Sequence, residues 1–135
     1  METEEKHIET ITLENNLILK LYDGSRIVAG DRWVVKLIAR TDIPVNRLFL
    51  NETDLNVSPD EIKKALGENV IFKQERERNF IHEQEKDKVF KMLYDSFSDS
   101  SLSYLSHADF PKRFVLKKYQ EHIKRAGYYH DKLQG

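Results

Sequence analysis

The hydrophobic pattern of this chain changes its period after about residue 50, and that change limits the folds open to it. Before it, Leu17, Leu19 and Leu21 fall on one side of an extended segment, and the residues between them fall on the other. Alternation with a period of two is typical of a strand with one buried face. From Ser58 onwards apolar residues recur every three or four positions, which is typical of helices. The order of these patterns favours an α+β fold with the sheet first.

The alternation predicts strands over residues 7–13, 16–22 and 32–40. In the third strand one face carries Trp33 and aliphatic residues, while the other mixes basic and aliphatic side chains, as on a partly covered face. The sequences Asp23-Gly24 and Ala29-Gly30-Asp31 predict tight turns, because glycine adopts positive φ without strain. Pro44 is expected to end the third strand. Together these features predict an antiparallel meander.

A short helix is expected from Ser58, where a capping serine is followed by Pro59 and two acidic residues, and Gly67 is placed to end it. The segment from Val70 to Ile81 fits either a strand or a helix, and a strand to about Arg78 fits better because its apolar residues match helical spacing poorly.

Two further helices are expected in the last third of the chain. Apolar residues at positions 89, 90, 93, 94 and 97 predict a helix over residues 82–97. The stretch 96–106 holds six serines and is interpreted as a helix end followed by a connection. A last helix is expected over residues 111–126, capped by Asp109 and stopped by Gly127.

We therefore expect a single α+β domain over residues 1–135: an antiparallel sheet of three to five strands packed against one short middle helix and two C-terminal helices. Residues 1–6 and 128–135 are expected to be frayed tails. The predicted core consists of Leu17, Leu19, Leu21, Trp33, Val35, Leu37, Phe90, Leu93, Phe97, Leu116, Tyr119 and Ile123.

Composition indicates the compartment and excludes several kinds of site. The 22 Lys and Arg residues nearly cancel the 23 Asp and Glu residues, so no overall positive field attracts nucleic acid or anionic lipid. The absence of cysteine excludes disulfides, thiolate metal sites and a cysteine nucleophile. The acidic start METEEKHIET lacks the apolar part of a secretory signal, and no apolar run approaches about 18 residues. We expect a soluble cytoplasmic protein with no membrane partner.

The first candidate site is the pair of predicted turns, which place glycines beside Asp23, Ser25, Arg26, Asp31 and Arg32. Backbone N–H groups freed by glycine and the fork of an arginine suit a phosphate or carboxylate. The alternative interpretation is two hairpin turns with ordinary Asp–Arg pairs at the surface.

The second candidate is basic. Arg32, Lys36 and Arg40 share one face of the third strand, and Arg113, Lys117 and Lys124 share one face of the last helix. From residue 101 onwards seven Lys and Arg outnumber three Asp and Glu, and such clusters can bind nucleic acid phosphates or an acidic partner. The alternative interpretation is a solvated surface with long basic side chains over apolar neighbours.

The sequence holds no GxSxG, Walker A, GxGxxG or HExxH motif, and no two histidines are three or four residues apart. Neither a metal nor a cofactor is therefore expected. The sequence favours a non-enzymatic binding or interaction module, such as a small regulatory or adaptor protein, whose partner is another protein or a second copy. Two alternatives stay open: a nucleic-acid-binding protein that uses the two basic faces, and a small enzyme whose site is assembled from distant Glu and His residues around His82 or His107.

Overall fold

A computed structural model describes residues 5–46 and 58–134, with side chains up to residue 127. Within these residues the strands are β1 (Lys6–Thr12), β2 (Ile18–Asp23), β3 (Arg26–Ala29), β4 (Arg32–Pro44) and β5 (Asn69–His82). The helices are α1 (Pro59–Leu66), α2 (Lys86–Ser106) and α3 (Phe110–Gln134), and a single 3₁₀ turn (Glu83–Glu85) precedes α2. The α+β class, with an antiparallel sheet of five strands and three helices, is confirmed.

The predicted turn at Asp23-Gly24 is wrong, because the chain stays extended there. Both β2 and β3 pair antiparallel with β4, and the register is the same on both sides of residues 24 and 25, with Tyr22 opposite Ile38 and Arg26 opposite Val34. β3 therefore continues along β4 from the point where β2 ends. A Cβ atom on Gly24 would lie 2.8 Å from Ile38 Cδ1, so the glycine permits a close approach between strands. The turn after β3 is confirmed, and Gly30 adopts a φ of +54° there.

The segment from Val70 to Ile81, whose sequence fits either a strand or a helix, forms a strand. β5 pairs with β4 and continues to His82, four residues beyond the expected end. Near one end the N–H of Val45 donates to the carbonyl of Glu68, and near the other the N–H of Glu83 donates to the carbonyl of Asp31, each over 2.8 Å. The end of β4 thus meets the start of β5, and the start of β4 meets the end of β5, so the two strands run antiparallel.

The chain divides into two compact units, residues 1–41 with 72–107 and residues 42–71 with 108–135. Within the first unit α2 lies across the sheet face that carries Trp33 and Arg76. The predicted core is largely confirmed here, although Trp33 and Phe90 are only half-buried. The apolar residues buried in this unit are Leu13, Leu17, Leu19, Leu21, Val34, Val35, Leu37, Ile38, Ala39, Leu93, Phe97 and Leu105.

The turn between β1 and β2 is tied to the end of α2 by one side chain. The Asn15 amide group donates to the carbonyl of Leu105 over 2.7 Å and to the carbonyl of His107 over 2.9 Å. The last carbonyls of a helix have no partner within the helix, so an outside donor satisfies them. Asn15 therefore acts as a C-terminal cap for α2 that comes from a different element.

The second unit is built around α1 and α3, which pack together. The helix predicted at Ser58 is confirmed: the Ser58 side chain accepts a hydrogen bond from the N–H of Glu61, and Gly67 ends the helix with a φ of 89°. The buried residues of this unit are Ile43, Val45, Pro59, Ile62, Val70, Phe110, Pro111 and Val115.

The last helix differs from the prediction in length and in orientation. It passes through Gly127 and reaches Gln134, because a glycine in a helix costs only about 1 kcal/mol and no proline follows it. The expected C-terminal tail is thus helical, whereas most of the expected N-terminal tail lies outside the described residues. Leu116 and Tyr119 are half-buried and Ile123 is 48% exposed, so the predicted inward face is wrong by roughly a quarter turn.

Candidate functional site

At the first predicted turn, Asp23 and Ser25 bond to the backbone. Asp23 Oδ1 accepts a hydrogen bond from the N–H of Ser25 over 2.8 Å, and Ser25 Oγ accepts one from the N–H of Lys36 over 3.0 Å. These side chains thereby supply hydrogen bonds where the ladder between β2, β3 and β4 is interrupted. Arg26, the next residue, is exposed at the start of β3.

At the second turn, Asp31 and Arg32 lie together with residues of β5. Arg32 Nε lies 3.9 Å from Asp31 Oδ1, and the Arg32 guanidinium lies 5.4 Å from the centre of the Phe80 ring. Phe80 is 67% exposed and adopts a φ of 59°, which is rare for a bulky residue. The five candidate anion-binding residues are thus divided between the two ends of β3: Asp23, Ser25 and Arg26 lie at its start, and Asp31 and Arg32 lie after its end.

His82 uses both of its ring nitrogens within this second cluster. Its Nδ1 accepts a hydrogen bond from the N–H of Gln84 over 3.1 Å, and its Nε2 lies 2.9 Å from Asp31 Oδ2. In the neutral ring the proton therefore belongs on Nε2, where it is donated to Asp31. The imidazole links the β3–β4 turn to the 3₁₀ turn and has no nitrogen left to accept a proton from a substrate.

An aromatic contact lies beside the same turn. Lys86 Nζ stands 4.1 Å above the centre of the Trp33 ring, a close cation–π contact. The Trp33 indole N–H is buried without a hydrogen-bond partner. Trp33 thus belongs to the face covered by α2, as its position in the alternation predicts.

The basic stripe on β4 is partly neutralised by the neighbouring strand. Lys36 Nζ lies 3.6 Å from Glu75 Oε2 and 3.6 Å from Glu77 Oε2. The hydrogen bond from Lys73, together with the charge of Lys36, holds the pKa of Glu75 below its usual value, although partial burial opposes the shift. Arg40 is exposed at the other end of the stripe, and the register with β2 places it opposite Lys20.

The serine-rich stretch is helical, and an arginine of β5 bonds to three of its serines. Arg76 donates from Nη1 to Ser96 Oγ over 2.8 Å and from Nη2 to Ser100 and Ser101 over 2.7 and 3.0 Å. Its guanidinium also lies 5.7 Å from the centre of the Phe97 ring. The predicted connection at 96–106 is therefore wrong, since it is the second half of α2. The serines at 96, 100 and 101 share one helix face, which is the signal that could have revealed the cluster.

A second long-range bond joins α2 to the edge strand of the sheet. The Tyr94 hydroxyl donates to Glu9 Oε2 over 2.5 Å, and this bond raises the pKa of Tyr94 above its usual value, with burial adding to the shift. No spacing in the sequence links these two residues, which are 85 positions apart.

The outward side of α3 carries an apolar strip next to a basic strip. Leu116, Tyr119 and Ile123 form the apolar strip, and Arg113, Lys117 and Lys124 form the basic strip that the sequence predicted. Arg113 lies 3.8 Å from Asp109, whereas no carboxylate among the described side chains lies within 4 Å of Lys117 or Lys124. The two basic faces proposed from the sequence lie in different units, β4 up to Thr41 in the first and α3 in the second.

The described residues contain neither a metal-binding cluster nor a membrane-spanning helix. Among the side chains of residues 5–46 and 58–127, no group of three His, Asp or Glu could hold a metal ion. None of the helices described there is both long enough and apolar enough to cross a membrane.

Comparisons with models of protein families, with curated proteins and with solved structures found no match. Function is therefore inferred from the side chains of this chain alone.

Proposed function

We propose that this chain is a non-enzymatic binding module that recognises an acidic protein surface through the outward side of α3. The observation that carries the proposal is the pair of adjacent strips on that helix. Three apolar side chains that the sequence pattern assigns to a core are half-buried or exposed, and three cations flank them. An amphipathic helix with a basic flank suits a groove that offers apolar pockets and carboxylates.

The charges on α3 support an acidic partner. Between Phe110 and Gly127 the helix carries six Lys and Arg residues and one glutamate. The exposed cations Lys117 and Lys124 are available for contacts with another molecule, and their charge complements an acidic surface. The apolar strip would supply the buried centre that a stable protein interface needs.

The test is affinity capture from a nuclease-treated lysate of the source cells, with matched variants. One variant carries Lys117→Gln and Lys124→Gln; the control carries Lys64→Gln and Lys88→Gln, which remove two exposed cations elsewhere. We expect the wild type and the control to retain the same protein, and the α3 variant and Ile123→Ser to lose it. Equal capture by all four, or capture of nothing by the wild type, would refute the proposal.

A second candidate function, nucleic-acid binding, is favoured by the strand register. Lys20 of β2 lies opposite Arg40 of β4, and Arg26 lies at the start of β3, which also pairs with β4. Lys20 and Arg26 therefore add two cations to those of β4. The two glutamates beside Lys36 count against this function, because they cancel part of the positive charge. Fluorescence anisotropy with labelled single-stranded and duplex oligonucleotides tests it. Binding that weakens steeply between 50 and 200 mM salt, and that Lys20→Gln plus Arg40→Gln removes, would support this candidate instead.

A further inference from the structure

The second unit contains a cleft with a volume of about 340 Å³ between α3 on one side and the end of α1 and the start of β5 on the other. On one side it is lined by Leu66, Asn69, Val70 and Ile71, of which Val70 is buried and Leu66 half-buried. This side is therefore mainly apolar, with one side-chain amide. A cavity of this size accommodates a small organic molecule rather than a single ion.

The other side of the cleft is a charged wall formed by α3. Pro111 and Val115 are buried on the inward stripe of this helix, and the same stripe continues as Lys118, His122 and Arg125, which line the cleft. The spacing of four, three, four and three residues keeps all of them on one side of the helix. The inward stripe thus changes from apolar to basic at the point where the cleft opens.

The charges on this wall are only partly balanced by the described side chains. Lys118 Nζ lies 3.5 Å from Glu121 Oε2, which pairs one cation with the only carboxylate among the described lining residues. Among the described side chains no carboxylate lies within 4 Å of Arg125 or His122. Both residues are exposed, so they can turn towards a ligand at the mouth of the cleft.

We propose that this cleft binds a small organic anion, with its carboxylate or phosphate monoester group at Arg125 and His122 and its apolar body against Leu66, Val70 and Ile71. The guanidinium offers a planar fork of donors that matches two oxygens of either group. The apolar wall supplies the contact area that a free inorganic anion could not use. This site lies on the inward side of α3 and does not depend on the partner-binding strips.

The experiment is an NMR titration of the ¹⁵N-labelled full chain with three probes that share a ring: phenyl phosphate, benzoate and neutral benzyl alcohol. We expect the two anions to shift the amide signals of Val70, Ile71 and Arg125 with dissociation constants of about 1 mM, because probes this small make few contacts. Whichever anion binds more tightly identifies the chemical group. Benzyl alcohol should bind at least about fivefold more weakly.

Matched variants distinguish a specific site from general attraction. Arg125→Gln should weaken the binding of both anions at least about fivefold, whereas Lys64→Gln, which removes one exposed charge from α1 in the same unit, should leave it within about twofold. No shift up to about 20 mM of either anion, equal binding of benzyl alcohol, or equal effects of the two variants would overturn the proposal. These outcomes do not bear on partner capture by Lys117 and Lys124, so the two proposals fail separately.

Discussion

The contact between Arg76 and the serines of α2 allows a quantitative prediction for Arg76→Met, which keeps most of the apolar stem and removes the guanidinium. Ser101 is 8% exposed, so the loss of its charged donor is expected to cost about 1 kcal/mol. Ser96 and Ser100 are exposed and can bond to water, which limits each loss to about 0.5 kcal/mol. The contact with the Phe97 ring at 5.7 Å contributes about 0.5 kcal/mol.

We therefore expect Arg76→Met to lower the free energy of unfolding by about 2.5 kcal/mol. In urea denaturation followed by circular dichroism this corresponds to a fall in the midpoint of roughly 1 to 2 M, with an unchanged slope. The matched control is Arg78→Met, two residues along the same strand. Among the described residues, the Arg78 side chain donates only to the carbonyl of its neighbour Glu77, so its loss should change stability by no more than about 0.5 kcal/mol.

Hydrogen exchange tests which part of α2 is destabilised in Arg76→Met. If Arg76 fixes the second half of α2, the amides of residues 100–106 should exchange faster in Arg76→Met, while those of residues 88–94 change less. Equal stability of Arg76→Met and Arg78→Met, or a loss of protection spread evenly along α2, would refute the reasoning. The serine-rich half would then be helical for reasons of its own.

Three further predictions follow from single contacts. In thermal unfolding the Phe80→Gly variant should be more stable than Phe80→Ala by about 1 kcal/mol, because glycine adopts a φ of 59° without strain. At the control position, Glu77→Ala should instead be more stable than Glu77→Gly. Tyr94→Phe should cost about 1 kcal/mol at pH 7. The bond to Glu9 raises the pKa of Tyr94, so the stability that the Tyr94 hydroxyl provides is complete below the ordinary tyrosine pKa and is lost as pH rises through the raised pKa. In urea titrations the free energies of unfolding of the wild type and Tyr94→Phe should therefore converge at high pH. Lys36→Met should lower the free energy of unfolding by about 0.5 kcal/mol at pH 7. Because the pKa of Glu75 is lowered in the folded protein, the difference in stability between wild type and variant should disappear as pH falls through the lowered pKa. A difference that stays the same in acid would contradict this prediction.

The features that were predictable from the sequence are those decided by neighbouring residues. The alternation around Leu19 identified a buried strand face, and Ser58 with Pro59 and Gly67 located α1, because caps and periodicity act within a few positions. The same local signals failed where a distant partner decides the structure. Asp23-Gly24 stays extended because β4 runs alongside it.

The candidate sites show the same division. The sequence identified the basic strip on α3, which depends only on helical spacing, and it assigned His82 to a possible enzyme site. It could not foresee that Asp31 and the backbone of Gln84 occupy both nitrogens of that ring. It also missed the serines bonded to Arg76, because the arginine lies at least 20 residues away on another element. The orientation of α3 was wrong because its most apolar stripe is not its buried one.

The cap that Asn15 provides for α2 has a consequence for the order of folding. The donor belongs to the first turn of the chain, and its acceptors, Leu105 and His107, lie 90 and 92 residues later. During synthesis from the N-terminus, that turn leaves the ribosome long before the carbonyls it serves. Closing a loop of this length is slow compared with forming a helix. We therefore expect the last turn of α2 to acquire these two hydrogen bonds late in folding, when the chain between residues 15 and 105 closes.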